Sequence, residues 1–316
     1  MSIVTPSSVS QLADRADPVD AIVDFARGFS LEATRPSAED VAVLAAVARP
    51  GTRVYVSAVP TRPAQDAIEA VASLRAAGFE PVPHLAVRNF ATARELDDFL
   101  ARVGDAGVRC VLVIAGDRDQ PSGDFRSSIE VIDGGALQRH GIVEIGIAGY
   151  PDGHPRISEQ DLERSLAEKI HVAETTGMAV HIVTQFCFDA PTILKWIGRL
   201  RDFGVEHPVR VGLPGPTNLA TLLRYARRCG VRASAQGLAR QAGLVRQLFA
   251  MSTPDILIRT IAEARARRHL GEIAPHFFSF GGLAQAARWG AAVADHRIAL
   301  EPSDGFRVEP PPRHGA

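Results

Sequence analysis

Cysteine is scarce, and what little there is stands apart. Cys110, Cys187 and Cys229 are the only three in 316 residues, with no Cys-x-x-Cys among them. That spacing speaks against a disulfide frame or a zinc site and suits reduced, mostly buried thiols. An excess of either charge is also missing. Lys and Arg number 35 against 36 Asp and Glu, a net charge of −1. Neither nucleic acid nor an anionic membrane surface is therefore expected as the main partner. No apolar run is long enough to span a bilayer, and the N-terminus lacks the basic start and apolar core of a secretion signal. The expectation is a cytoplasmic protein without a membrane partner. No Gly-x-Gly-x-x-Gly follows the first candidate strand, which weakens the case for an open dinucleotide-binding sheet.

What the chain does have is one pattern repeated eight times: a short β-branched run, a polar or Gly/Pro turn, and an Ala/Leu/Arg-rich helix. The candidate strands are 29–33, 53–57, 81–85, 109–115, 144–148, 179–185, 209–212 and 276–279. Helical stretches at 64–77, 91–103, 160–175, 191–203, 219–229 and 283–293 lie between and after them. Near-continuous apolar strands alternating with helices imply a parallel sheet covered on its outer face. Eight such units imply a closed (β/α)8 TIM barrel in a single domain, with an open doubly wound sheet as the alternative. The reading divides the chain into a lead-in segment and helix over 1–28, the barrel over 29–300 and a loose C-terminal tail over 301–316. Extra helix is expected between the last two strands, at 233–240 and 254–270.

Chemistry in such folds gathers at the C-terminal ends of the strands. Reading only those ends collects Glu32, Ser57, His84, Gly116 with Asp117, Tyr150 with His154, and Gln185. The run from Ile145 through Tyr150-Pro151-Asp152-Gly153-His154-Pro155 is the most distinctive: an apolar strand that delivers an aromatic, an acid and a histidine through a tight turn. Glu32 and Asp117 would face each other across a barrel mouth, and acids there are costly unless they bond or titrate. Each also has a plainer reading. Glu32 could pair with Arg35, His84 could be a capping or rim histidine, and the turn after 149 could simply connect strand to helix. Gln185 sits in an apolar run, where its amide needs partners. No metal site is expected.

In this order, each on its own strand end, these residues resemble the methylenetetrahydrofolate reductase family. The resemblance rests on Ser30-Leu31-Glu32, Pro83-His84-Leu85, Gly116-Asp117, Tyr150-Pro151-Asp152-Gly153-His154-Pro155, Thr184-Gln185-Phe186…Phe188-Asp189 and Gly212-Leu213-Pro214…Asn218. It implies a barrel flavoenzyme that uses FAD and NADH or NADPH to interconvert 5,10-methylene- and 5-methyltetrahydrofolate, and a homo-oligomer. By the same resemblance Glu32 and Asp117 are catalytic: Glu32 as general acid with a raised pKa, Asp117 as the acid shared by flavin and pterin. Ser57, His84, Gly116, Asp117, Tyr150, His154 and Lys169 fall where the family binds its cofactor. Asp117, Gln185, Thr221 and Tyr225 fall where it binds substrate.

Three features depart from the family pattern. Ala33-Thr34-Arg35-Pro36 replaces a Phe-Phe-Pro-Pro run, Thr221 replaces a longer glutamine, and the helix after His154 has an ambiguous register. In that helix Lys169 is the best match for a phosphate-contacting lysine and Arg164 the second. Two other functions fit the same residues: flavin-independent transfer directly from a nicotinamide, and a non-catalytic barrel that binds folate or a partner protein.

Overall fold

A computed structural model of the chain describes residues 17–229, 231 and 251–310. Eight parallel strands close into one barrel. They are β1 (Ser30–Ala33), β2 (Arg53–Val56), β3 (Glu80–Ala86), β4 (Cys110–Ile114), β5 (Glu144–Gly149), β6 (Ala179–Thr184), β7 (Val209–Pro214) and β8 (Ile273–Phe278). Neighbours in the barrel are neighbours in sequence, and the seam closes where β8 pairs with β1 through Ser30↔His276 and Glu32↔Phe278. The fold is the (β/α)8 barrel anticipated from the eightfold pattern.

The strands form where apolar runs meet turns, and the helices between them begin on capping side chains. Ser37 and Asp40 make a reciprocal capping box at the start of α2 (Ala38–Val47). Thr92 accepts from Glu95 N at the start of α4 (Ala93–Asp105), and Ser158 accepts from Asp161 N at the start of α7 (Glu159–Thr175). Asp189 does the same for Thr192 N before α8 (Ala190–Asp202). The remaining helices are α1 (Pro18–Ala26), α3 (Ala64–Ala76), α5 (Ser128–Asp133), α6 (Ala136–Arg139), α9 (Leu219–Cys229), α10 (Asp255–Arg265) and α11 (Leu283–Ala294). None of the described helices is long and apolar enough to cross a membrane.

Side chains alternate along each strand and separate two regions. Leu31, Val54, Val56, Leu85, Val111, Val113, Ile145, Ile147, Val211 and Phe277 belong to the main core beneath the helices. Tyr55, Val82, Cys110, Leu112 and Val183 form a smaller cluster inside the barrel. The lead-in helix is present as α1, packed against α10 and α11.

Most boundaries move by a residue or two, and the larger differences lie in the C-terminal third, where the helix expected over 254–270 spans Asp255–Arg265. β8 begins at Ile273, three residues before the expected start, with Pro275 inside it opposite Val211. The β1 ladder starts only at His276, so Pro275 has one paired neighbour and its missing N–H is tolerated. The stretch from 301 was expected to be loose throughout. Instead β9 (Ile298–Leu300) and β10 (Phe306–Val308) form an antiparallel hairpin. Phe306 is buried and stacks on Trp289 of α11 with ring centres 5.8 Å apart. The expected helix at 233–240 lies outside the described residues, as do 1–16 and 311–316.

The hairpin is therefore part of the barrel's outer packing. Phe306→Ala is expected to destabilise the fold by roughly 3 kcal/mol, the usual cost of truncating a buried aromatic. A urea midpoint equal to the parent's would show that the hairpin is merely laid against the surface.

Candidate active site at the barrel mouth

Glu32 is the centre of the mouth. β1 turns it inward, and its side chain is only 17% exposed. Ser57 Oγ, from the end of β2, donates to Glu32 Oε1 at 2.7 Å. On the other oxygen, His276 Nε2 from β8 lies at 3.4 Å and His84 Nε2 from β3 at 3.7 Å. His276 is fully buried, and its Nδ1 is 3.0 Å from Ser30 Oγ. Burial alone would raise the Glu32 pKa, but the charge of His84 and the bonds from His276 and Ser57 outweigh it and hold the carboxyl below its usual range. This reverses the raised value that a general acid would suggest. The plainer pairing with Arg35 does not form, because Arg35 lines a separate outer cavity of about 520 Å³ with Asp66 and Glu69.

The other strand ends converge on the same mouth. Gly116 follows β4 with φ +92°, and an added Cβ would sit 3.0 Å from Ala86 Cβ, so only glycine lets these two loops close up. Asp117 is exposed beside it, and its charge acts on both His84 and Tyr150. Burial lowers the His84 pKa. Tyr150 is shifted upward, first by burial and then by Asp117. Tyr150 meets His154 edge-on at 5.4 Å. On the far side, Gln185 folds its side-chain oxygen back onto Phe186 N at 3.0 Å.

Thr221 N is capped by Asn218 Oδ1 at 2.9 Å at the start of α9. One turn on, Tyr225 stacks on Phe280 at 4.2 Å and 18°. Phe186, Phe188, Phe278 and Phe280 extend it by edge-to-face contacts into an aromatic wall. Lys169 stands apart from these groups. It is the eleventh residue of α7, roughly 15 Å along the axis from the mouth end at 1.5 Å per residue. Burial lowers its pKa, and among the described residues no hydrogen bond or ion pair joins it to the mouth. Arg164 pairs with Asp161 on the exposed face of the same helix.

Below Glu32, the barrel interior carries charges that strand-end reading passes over. Arg53 makes a bidentate pair with Glu144 at 2.7 and 2.6 Å. Glu144 Oε1 lies 2.8 Å from His181 Nδ1, and His181 Nε2 lies 2.7 Å from Tyr55 Oη. The Tyr55 ring in turn meets His276 edge-on at 4.7 Å and His84 at 6.4 Å. Gly146 leaves the space this requires, since a Cβ there would come within 2.9 Å of His181 Nε2. Cys110, Glu144 and His181 place ligand atoms within 4.8 Å of one another. They read as an ion-pair network rather than a metal centre, because Arg53 takes both Glu144 oxygens and burial keeps the Cys110 thiol protonated. His276, Tyr55 and His181 escape strand-end reading, although period-two alternation from Glu32 and its neighbours would have turned them inward.

The sequence model of the methylenetetrahydrofolate reductase family matches residues 55–244. The chain belongs to the methylenetetrahydrofolate reductase family. It is 27% identical over 156 residues to methylenetetrahydrofolate reductase 2 of Saccharomyces cerevisiae, across 47% of this chain and 26% of that protein. It is 26% identical over 158 residues to the 5,10-methylenetetrahydrofolate reductase of Pectobacterium carotovorum subsp. carotovorum, across 49% of this chain and 50% of that one. The chain thus spans half or less of the length of these relatives. Among solved structures, dihydropteroate synthase from Thermus thermophilus aligns with 86% of this chain and 94% of its own at 14% identity and a TM-score of 0.48.

The mouth has features that suit a flavin ring. His84 Nε2 is buried without a hydrogen-bond partner, and Gly116 brings its backbone close where a side chain would obstruct. Those residues fit a flat heteroaromatic with bonding edges.

The interior pair makes acid stability a test of this arrangement. Burial would raise Glu144, but His181 and Arg53 bring its pKa down from 4.5 to about 2. A carboxyl depressed on folding stabilises the protein above its unfolded pKa and loses that contribution as pH falls through its folded one. Stability should therefore drop between about pH 4.5 and pH 2, by on the order of 3 kcal/mol for this group. Glu144→Gln should flatten that limb; an acid limb identical to the parent's would mean Glu144 is not held ionised.

Proposed function

We propose that the chain interconverts 5,10-methylenetetrahydrofolate and 5-methyltetrahydrofolate, with FAD as bound electron carrier and NADH or NADPH as the exchanging partner. The observation that carries this reading is Glu32, a carboxylate sunk in the mouth of a barrel of this family and flanked by two imidazoles. Protonating a ring nitrogen of the folate requires a donor at that depth, and a carboxyl backed by histidines can act in either direction. Its neighbours lower the Glu32 pKa in the free protein, so Glu32 takes up the proton it donates when substrate binds, with the His276 and His84 rings at 3.4 and 3.7 Å around it. Asp117, exposed at the rim, offers charge-assisted hydrogen bonds to the amino edge of a pterin. Gln185 adds an amide to that edge. Tyr225 and Phe280 give a flat aromatic face for the ring system.

Bound flavin would supply the reversible two-electron step, held by His84, Gly116, Tyr150 and His154, with Lys169 as the candidate for its phosphates. Ser57 donates its hydroxyl proton to Glu32, which leaves its oxygen as an acceptor toward the ring. A second reading, direct transfer from nicotinamide to folate without flavin, is favoured by the position of Lys169 away from the mouth. An absorption spectrum of the purified protein separates the two. Flavin bands support the first, and a colourless protein that still turns over folate supports the second.

Glu32→Gln is expected to cut folate turnover by about 10²–10⁴-fold, the usual contribution of a general acid. Any flavin should remain bound and reducible by nicotinamide, because the proton is needed only on the folate side. Turnover at the parental rate would reduce Glu32 to a structural acid. The shorter side chain at Thr221 should weaken nicotinamide binding. Thr221→Gln should then improve it several-fold, the worth of about one hydrogen bond. A parent already saturated at low micromolar nicotinamide would remove that idea.

A further inference from the structure

Barrel interiors are usually filled by layers of branched aliphatic side chains. This one instead threads Arg53, Glu144, His181 and Tyr55 through its centre, from the N-terminal end of β2 and β5 to the level just beneath Glu32. As a source of stability alone the choice is a poor one, because a buried ion pair does little better than well-packed hydrophobic residues. What the thread does accomplish is geometric. Each member stands against the next: a two-pronged guanidinium sets the Glu144 plane, Glu144 Oε1 lies in ion-pair contact 2.8 Å from His181 Nδ1, and Tyr55 Oη bonds His181 Nε2 at 2.7 Å. Tyr55 is anchored by that bond, and its ring makes T-shaped contacts with His276 and His84, the two imidazoles beside Glu32.

We propose that the Arg53–Glu144–His181–Tyr55 thread is a positioning device for the acid at the mouth, holding His276 and His84 in register with Glu32 through the Tyr55 ring. This inference rests on the assignment of Glu32 as the working acid, but it concerns how that acid is held. Tyr55 is a positioning residue, fully buried and closed off from any ligand. The groups that face Glu32 are Ser57 from β2, His84 from β3 and His276 from β8, with Asp117 acting on His84 from the end of β4. Those that face Tyr55 are Arg53 on its own strand, His84 from β3, Cys110 from β4, His181 from β6, Arg210 from β7 and His276 from β8. Loosening the thread releases the two imidazoles and leaves burial to dominate at Glu32, so its proton is held more tightly.

The test follows the carboxyl of Glu32 and the imidazoles of His84 and His276 by NMR titration, with thermal unfolding recorded for every variant. Tyr55→Phe keeps the ring and removes the anchor. It should raise the Glu32 pKa by roughly one unit, the scale on which neighbours shift a carboxyl. His181→Leu should do the same. His181→Gln can still donate to Glu144 and accept from Tyr55, and it should restore the parental titration, which separates positioning from any need for a titrating imidazole at 181. Folded Tyr55→Phe and His181→Leu proteins with Glu32 titrating as in the parent would overturn the proposal. Should His181→Leu fail to fold, Tyr55→Phe alone decides. Folate turnover is measured in parallel. A protein inert towards folate whose Glu32 titration still moves as described would discard the activity and keep the device; an active protein with an unmoved titration would do the opposite.

Discussion

A carboxylate inside a protein must be answered by partners, and two such groups govern the interior of this barrel. Glu144 is answered by Arg53 and His181 on the side remote from the mouth, and Glu32 by Ser57, His84 and His276 on the side next to it. Neither group is open to bulk water to any great extent, so the donors around each are fixed by the backbone that carries them. The glycine at 146 follows from this demand, since a side chain there would displace His181. So does the placement of polar residues on inward positions of strands whose outward positions are almost wholly aliphatic.

The mouth divides into two chemically distinct halves. On the β2–β5 side lie hydrogen-bonding groups, a close backbone approach at Gly116 and the charge of Asp117. On the β6–β8 side lies a wall of packed aromatic rings from Phe186 to Tyr225. Glu32 stands at the boundary. A ligand with one polar edge and one flat apolar face is what such a division selects, and both a flavin and a pterin have that character.

The strands were legible because each is a short apolar run bounded by turn residues, and eight of them in regular alternation leave few other architectures. Boundaries slipped where local chemistry and ladder disagree, as at Pro275, and where a hairpin is held by distant partners, as Phe306 is by Trp289 and the turn carbonyls are by Arg259. Strand-end residues were legible for a different reason: the barrel has one working face, so position alone nominates them. The interior thread was not. A tyrosine or histidine within an apolar run looks like core, and only inter-strand register reveals that Tyr55 and His181, 126 residues apart, share a hydrogen bond.

The bond between His276 and Glu32 joins residues 244 apart in the chain and spans the seam where the last strand meets the first. The acid site therefore cannot exist in any fragment of the barrel, however well folded, and during synthesis it stays unformed until the eighth strand has left the ribosome. A nascent chain with seven strands in place would leave Glu32 beside an open sheet edge, where water takes the place of His276. Chemistry at the mouth is in this sense a signal that the ring is shut.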